Sequence, residues 1–245
     1  LIKGYEHAIY YSSDVDKKLL YADSAIAVAI KFKNTDLISR AYVGKGIIFY
    51  YNRRQYKPAL DQYIKAFQYS KNSKDNYLKN KIIYHLGMVK SYLGYYNEAA
   101  AHFIQSAHYF ENKLSNANQP NSKLNHETGY FNSIYRLSTC YKNLNQFNKE
   151  DSLITLGLSK LKHTDQHPLE FGYFQKGRGT QLLRSGNSKE ALKHFTTAQK
   201  ILNDQQDYAS LTTVYFYMGK LYSITNEREK SLVYFNKVDS LLNKF

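Results

Sequence analysis

The chain has 245 residues, of which 43% are hydrophobic and 16% aromatic, and it carries 34 Lys and Arg against 20 Asp and Glu. This composition excludes a chain too poor in apolar residues to form a core, and the single Cys140 excludes an internal disulfide framework. The net charge of +14 favours acidic partners, with nucleic acid, anionic lipid and carboxylate-rich peptides as the alternatives.

The predicted elements follow one another as copies of a single pattern. The stretch LLYADSAIAVA, residues 19–29, predicts the second helix of a first hairpin, with Leu20 at its small-residue position. Four clearer copies follow, each with a glycine, then a small residue, and an aromatic residue four positions after the small one. The glycines are Gly46, Gly87, Gly179 and Gly219, the small residues are Ala59, Ala99, Ala191 and Ser231, and the aromatics are Tyr63, Phe103, Phe195 and Phe235.

A weaker copy lies between the third and the fifth, with Ser138 at the glycine position and Glu150 where a small residue is expected. The small-residue positions of the six copies are therefore separated by 39, 40, 51, 41 and 40 residues. The long interval contains the Asn- and Ser-rich stretch 112–125 with Pro120, which predicts an inserted surface loop.

The repeated pattern resembles the tetratricopeptide repeat, whose glycine, alanine and phenylalanine positions are matched by Gly87, Ala99 and Phe103. The period of this chain is 39 to 41 residues in four of its five intervals, which is longer than the period of about 34 residues in that family. The resemblance implies an all-α fold, a right-handed solenoid of about six helical hairpins and about twelve helices, in a single domain over residues 1–245. The predicted repeats span residues 1–35, 36–72, 76–115, 125–163, 167–204 and 207–245, with the inserted loop at 112–125.

Sequence patterns for catalysis and cofactor binding are absent. The glycine pairs at 44–46 and 177–179 lack the spacing of either glycine-rich phosphate loop. His163 and His167 are four residues apart, but Pro168 and the residues between the two histidines indicate a turn, not a helix face that could hold zinc. We therefore expect no enzymatic activity, no metal site and no cofactor.

Two further partner classes are disfavoured by the sequence. No apolar run approaches the roughly 20 residues of a membrane-spanning helix. The repeats are too long for the arrays that read one RNA base per repeat, and groove positions do not recur with the same residue types. Nucleic acid is therefore not the expected partner, and the compartment, cytoplasm or periplasm, stays open.

In the tetratricopeptide family, ligands lie along the surface formed by the first helix of each repeat. The repeat register transfers that expectation to residues of this chain, which combine ammonium, guanidinium, amide and phenol groups suited to an extended, acidic peptide. Arg136 is the strongest candidate because a guanidinium can bind a carboxylate through two hydrogen bonds. The candidate ligand-binding residues are Lys81, Tyr84, His85, Asn132, Tyr135, Arg136, Tyr173, Lys176, Thr180, Phe216 and Tyr217.

The resemblance favours a protein- or peptide-binding module. Repeats of this length are similar to those of bacterial transcription regulators and peptide receptors. We therefore expect the sensor or regulatory interaction domain of a larger bacterial regulator, with the effector module in flanking segments. The alternative is a general scaffold or assembly protein that transmits no signal.

Overall fold

The computed structural model describes residues 2–114, 120–161 and 166–243, and over these ranges the chain forms twelve α-helices and no strand. The all-α prediction is therefore confirmed. Backbone contacts divide the chain into an N-terminal unit, Leu1–Asn116, and a C-terminal unit, Ala117–Phe245. The two units are described separately, and the single domain stays a prediction.

The N-terminal unit consists of three helical hairpins. Each hairpin pairs two consecutive helices, and the second helix of one hairpin also packs on the first helix of the next. A π-helical segment, Ile48–Asn52, extends α3 before the chain turns into α4. The helices are α1 (Ile2–Tyr11), α2 (Val15–Lys31), α3 (Thr35–Ile47), α4 (Tyr56–Ser70), α5 (Asn76–Tyr92) and α6 (Tyr96–Leu114).

The C-terminal unit repeats the same arrangement with three more hairpins. Pro168 opens one of its helices, at a position where the missing backbone N–H has no intrahelical partner to lose. Its core joins the last two hairpins through Phe195, Leu202 and Met218. The helices are α7 (Pro120–Asn143), α8 (Phe147–Lys160), α9 (Pro168–Arg184), α10 (Ser188–Asp204), α11 (Tyr208–Ile224) and α12 (Arg228–Leu242).

The glycine of each clear repeat lies against the aromatic ring that the sequence pattern assigns to it. A Cβ atom added to Gly87 would lie 3.0 Å from the Phe103 ring, and one added to Gly179 would lie 2.6 Å from the Phe195 ring. The small residue one turn before each ring is buried, and at Ala59, Ala99 and Ala191 it is fully buried. Glycine therefore allows the two helices of a hairpin to approach closely enough for the ring to fill the seam between them.

The turn inside each of the last five hairpins contains one residue in the left-handed conformation, with φ between 53° and 86°. Glycine adopts this conformation without a steric cost, and asparagine tolerates it better than most residues. These residues are separated by 40, 51, 41 and 40 residues, the same intervals as the corresponding small residues of the sequence pattern. They are Arg54, Gly94, Asn145, Gly186 and Asn226.

The predicted loop over residues 112–125 is wrong for most of its length. Residues 112–114 continue α6 and residues 120–125 begin α7, while 115–119 lie outside the described residues. Pro120 is the first residue of α7, a position that proline favours. Part of the surplus in the long interval therefore lengthens α6 and α7, and α7 begins five residues before the predicted repeat boundary at 125.

The register predicted for the first repeat is also wrong. Leu20 was assigned to the buried small-residue position, but it is 62% exposed, whereas Ala22 is 1% exposed and Ala29 fully buried. Several alanines occur in this helix, so the sequence allowed more than one register.

Glu150, which replaces the small residue in the fourth repeat, is buried and paired with Arg184 of α9. An Arg184 Nη2 atom donates a hydrogen bond to Glu150 Oε2 at 2.8 Å, and the guanidinium lies 3.9 Å from the centre of the Phe147 ring. Burial raises the pKa of the Glu150 carboxyl above its usual value, although the hydrogen bond and charge of Arg184 lower it. The departure from the repeat pattern is thus accommodated by an ion pair.

Candidate functional site

The first helices of the three C-terminal hairpins supply the clearest group of candidate residues. Within this unit, α9 packs against both α7 and α11. Tyr135 of α7 and Tyr173 of α9 stack with ring centres 5.2 Å apart and planes 20° apart. The Lys176 Nζ atom lies 5.6 Å from the centre of the Tyr135 ring and 5.4 Å from that of Tyr173. An ammonium over two ring faces is a cation–π arrangement.

Arg136 contributes a second positive charge to this group. Burial raises the pKa of the Tyr135 phenol to about 12, and the charges of Lys142 and Arg136 lower it in part. Burial also raises the pKa of Tyr173, although the charge of Arg136 lowers it in part. We refer to Tyr135, Arg136, Tyr173 and Lys176 as the aromatic–basic cluster.

Hydrogen bonds fix the position of Tyr173 and link the helices that carry the cluster. The Tyr173 hydroxyl donates to Asp207 Oδ2 at 2.8 Å, and Asp207 also accepts from the Ser210 backbone N–H at 3.0 Å, capping α11. Burial tends to raise the pKa of Asp207, but the bonds from Ser210 and Tyr173 bring it below its usual value. On α7, the Asn132 amide donates to Glu170 Oε1 at 2.8 Å. Asn132 therefore links α7 to α9, which limits its availability to a ligand.

The α11 candidates extend this face at its other edge. Tyr217 stacks on Phe195 with ring centres 5.9 Å apart, and the Lys142 Nζ atom lies 5.9 Å from the centre of the Tyr217 ring. Phe216 is 43% exposed, and the Lys220 Nζ atom lies 5.7 Å from its ring centre. The face thus carries both lysines and accessible aromatic rings.

Two candidate residues are buried, which removes them from the ligand-binding set. His85 is 8% exposed and stacks on Tyr63 with ring centres 5.1 Å apart. Its burial, together with the charge of Lys81, lowers the pKa of His85 to about 3, so the ring is neutral. Thr180 is 9% exposed, and its hydroxyl donates to the Lys176 carbonyl at 2.9 Å. Both lie on the sides of their helices that pack against other helices.

The remaining two candidates belong to the N-terminal unit. Lys81 is exposed beside a cleft of about 180 Å³ that Glu6 and Arg40 also line. Although the residue as a whole is exposed, partial desolvation of its ammonium lowers the pKa of Lys81, and the charge of Arg40 lowers it further. Tyr84 lies edge-on to Phe103 with ring centres 5.7 Å apart, so part of its surface belongs to the hairpin seam.

Sequence reasoning missed two residues of the C-terminal face. Lys142 lies seven residues after Tyr135 on the same helix, a spacing that returns to one helix face and could have identified it. Asp207 precedes the first residue of α11, where Asp is a preferred N-cap, but its bond to Tyr173 depends on packing between hairpins.

Of the two histidines considered for zinc, only His167 lies within the described residues. His167 is 4% exposed, and its Nε2 lies 3.1 Å from Glu127 Oε2, while His163 lies outside the described residues. No group of three His, Cys, Asp or Glu side chains is placed to hold a metal within residues 2–114, 120–161 and 166–243. None of the helices searched in that same portion is long and apolar enough to cross a membrane.

Comparisons with known proteins identify the fold but not the family. No protein-family model and no curated protein sequence matches the chain. The fold is similar to the crystal structure of the apo form of RapI, with a TM-score of 0.77 and 16% identity over 99% of this chain and 82% of that one.

Two further crystal structures have a similar fold. Aspartyl phosphate phosphatase F from Bacillus subtilis gives a TM-score of 0.73 and 18% identity over 98% of this chain, which spans only 58% of that protein. A Rap protein complexed with Competence and Sporulation Factor gives a TM-score of 0.67 and 16% identity over 99% of this chain and 69% of that one. These similarities confirm the helical-repeat fold class expected from the tetratricopeptide resemblance.

Proposed function

We propose that the chain is a peptide- or protein-binding module whose C-terminal face, built by α7, α9 and α11, binds an extended segment carrying carboxylates. The observation that carries this proposal is the aromatic–basic cluster. There, Lys176 lies over the stacked rings of Tyr135 and Tyr173, and Arg136 contributes a second charge.

The chemistry of the cluster suits a carboxylate next to an apolar surface. The two tyrosines are partly desolvated, and an ion pair with Lys176 or Arg136 is less screened beside them than in open water. Arg136 can bind a carboxylate through two parallel hydrogen bonds, while Lys176 acts as a point charge. Phe216 and Tyr217 provide ring surface for the side chains of the same segment.

A regulatory role is the finer part of the proposal. One structure of similar fold is a Rap protein in complex with Competence and Sporulation Factor, a precedent for a protein of this fold binding a partner of that kind. By analogy, we propose that this chain is the sensor or regulatory interaction domain of a larger bacterial regulator. That role predicts an effector module encoded beside it in the full gene.

We also propose that the chain is not an enzyme, although one protein of similar fold is named a phosphatase. In the C-terminal unit, the buried carboxylates Glu150 and Glu170 bond to Arg184 and Asn132, and the half-buried Asp207 bonds to Tyr173. A carboxylate held in this way is poorly placed to transfer a proton to a substrate.

Fluorescence anisotropy with two labelled peptides tests the binding proposal. One peptide alternates Glu and Thr, which favours an extended backbone, and the other alternates Lys and Thr. We expect only the acidic peptide to bind, and we expect higher salt to weaken it. Removing a charge-assisted hydrogen bond costs roughly 1.5–3 kcal/mol, so Arg136→Ala and Lys176→Ala should each weaken binding about ten- to hundredfold.

Lys189→Ala is the matched control, because Lys189 is exposed on α10 and its loss changes the net charge equally. This variant should bind the acidic peptide as the unmodified chain does. Binding that survives both cluster substitutions, or no binding of the acidic peptide at millimolar concentration, would contradict the proposal.

A further inference from the structure

A second cleft, in the N-terminal unit, is independent of the proposed peptide-binding face. It has a volume of about 520 Å³ and lies where the end of α4, the start of α5 and the end of α6 meet. Its volume is in the range of sites for small molecules, which is about 300–1,000 Å³.

The charge around this cleft is positive. Lys71, Lys79 and Lys113 line it, and no acidic side chain is among its lining residues in the part of the chain that the structure describes. The Lys113 Nζ atom lies 5.9 Å from the centre of the Tyr109 ring, which also lines the cleft. Three ammonium groups with no carboxylate among the lining residues raise the local concentration of anions.

One of the residues that line the cleft carries a buried polar group without a partner. Asn80 is 3% exposed, and neither its Oδ1 nor its Nδ2 has a hydrogen-bond partner among the described residues. A buried polar group left unpaired destabilises the fold. The Asn80 side chain presents one acceptor and two donors, so either the N–H or the C=O of a ligand's amide can supply a hydrogen-bond partner that it lacks.

Apolar side chains complete the lining. Ile83 is 7% exposed and Phe67 is 40% exposed, so the cleft offers both a buried and an accessible apolar surface.

We propose that this cleft binds an acylated amino acid with a free carboxylate, either as a small molecule or as the C-terminal residue of a peptide. The lysines hold the carboxylate, Asn80 pairs with the adjacent amide as the flanking lysine side chains adjust, and the apolar lining contacts the side chain.

Isothermal titration calorimetry of the full chain with N-acetyl-L-phenylalanine tests this proposal. We expect binding of the acid and none of the neutral N-acetyl-L-phenylalaninamide. Asn80→Leu and Lys79→Ala should each weaken binding about tenfold or more, since each removes a polar contact. Lys57→Ala is the charge-matched control, because Lys57 is exposed on α4 and does not line the cleft.

The melting temperature separates loss of binding from loss of folding. Asn80→Leu removes the unpaired amide, so this variant should melt no lower than the unmodified chain. If it does not fold, Lys79→Ala still decides the question, because Lys79 is not part of the core. Binding of the amide as tightly as the acid, or full binding by Lys79→Ala, would overturn the proposal.

A tetrapeptide ending in Phe distinguishes the two sources of the ligand. If the peptide with a free carboxylate binds more tightly than the acetylated residue, the ligand is a peptide end. If both bind equally, a small molecule is sufficient. Failure of this test leaves the peptide-binding proposal untouched, since all of the cleft variants lie in the N-terminal unit.

Discussion

The ion pair between Glu150 and Arg184 predicts an asymmetric response to removing its two partners. Only 3% of the Glu150 side chain is exposed, against 33% of Arg184. Arg184→Ala therefore leaves a buried carboxylate without its counter-charge, which typically costs roughly 3–5 kcal/mol. Because the pair is partly accessible through Arg184 and Glu150 can protonate, we expect a loss of about 2–3 kcal/mol in the free energy of unfolding.

Glu150→Ala should behave differently. It restores the small residue that other repeats carry at this position, and it leaves Arg184 able to reach water. Since burial raises the pKa of Glu150 even with Arg184 present, the ionised carboxylate adds no net stability at neutral pH. We expect a change below about 1 kcal/mol, and we expect the double variant to recover most of the loss caused by Arg184→Ala.

Acid should reduce the loss in Arg184→Ala. The folded-state pKa of Glu150 is already raised, and without Arg184 it rises further. A raised carboxyl pKa gives stability that is present at low pH and is lost as the pH rises through the folded value. Urea denaturation followed by far-ultraviolet circular dichroism, at neutral and at mildly acidic pH, measures this effect. Equal losses for Glu150→Ala and Arg184→Ala, or a loss independent of pH, would refute the reasoning.

Two further substitutions test the seams between helices by thermal and urea denaturation. Gly179→Ala places a Cβ atom 2.6 Å from an aromatic ring, and such overpacking should cost about 1–3 kcal/mol. Gly4→Ala is its control, since no atom beyond its own stretch of helix lies within 4 Å of that added Cβ, and equal effects would mean that the seam is not tight. Tyr63→Phe should stabilise the chain by roughly 1–3 kcal/mol, because the buried Tyr63 hydroxyl has no partner within the described ranges. A lower melting temperature for Tyr63→Phe would show that the hydroxyl is hydrogen-bonded in solution.

The fold was predictable from sequence because each hairpin packs mainly on its neighbours. The contact between Gly87 and Phe103 depends on residues sixteen apart in one hairpin, so its signal repeats along the chain. The errors arose where this local signal is weak. Asn and Ser suggested a loop at 112–125, but intrinsic propensity is a weak guide and Pro120 is compatible with the first turn of a helix. The alanine-rich α2 offered several registers, and Leu20 was assigned to the wrong one.

The candidate site was less predictable, because its details depend on packing between hairpins. The register placed Tyr135, Tyr173 and Lys176 on first helices, and the structure brings these three together. The sequence register could not show that His85 is covered by its neighbours. A helical position near the edge of a face is buried or exposed according to the size of the side chains packed around it, and those side chains come from other repeats.

The polar residues at buried positions separate into those that are paired within the protein and those that are not, and this difference underlies the proposed role of Asn80. Glu150 is paired with Arg184, and the Ser231 hydroxyl donates to the Gly219 carbonyl at 2.9 Å, so both are satisfied within the protein. Asn80 is equally buried, yet its amide is unpaired among the described side chains and lies beside a cleft lined by lysines. Selection for stability alone would favour an apolar residue at such a position, because the unpaired amide weakens the fold. The same argument does not extend to Tyr63, whose hydroxyl lines neither described cleft. An unsatisfied polar group therefore points to a binding site only where a cleft can admit the missing partner, and Asn80 meets both conditions.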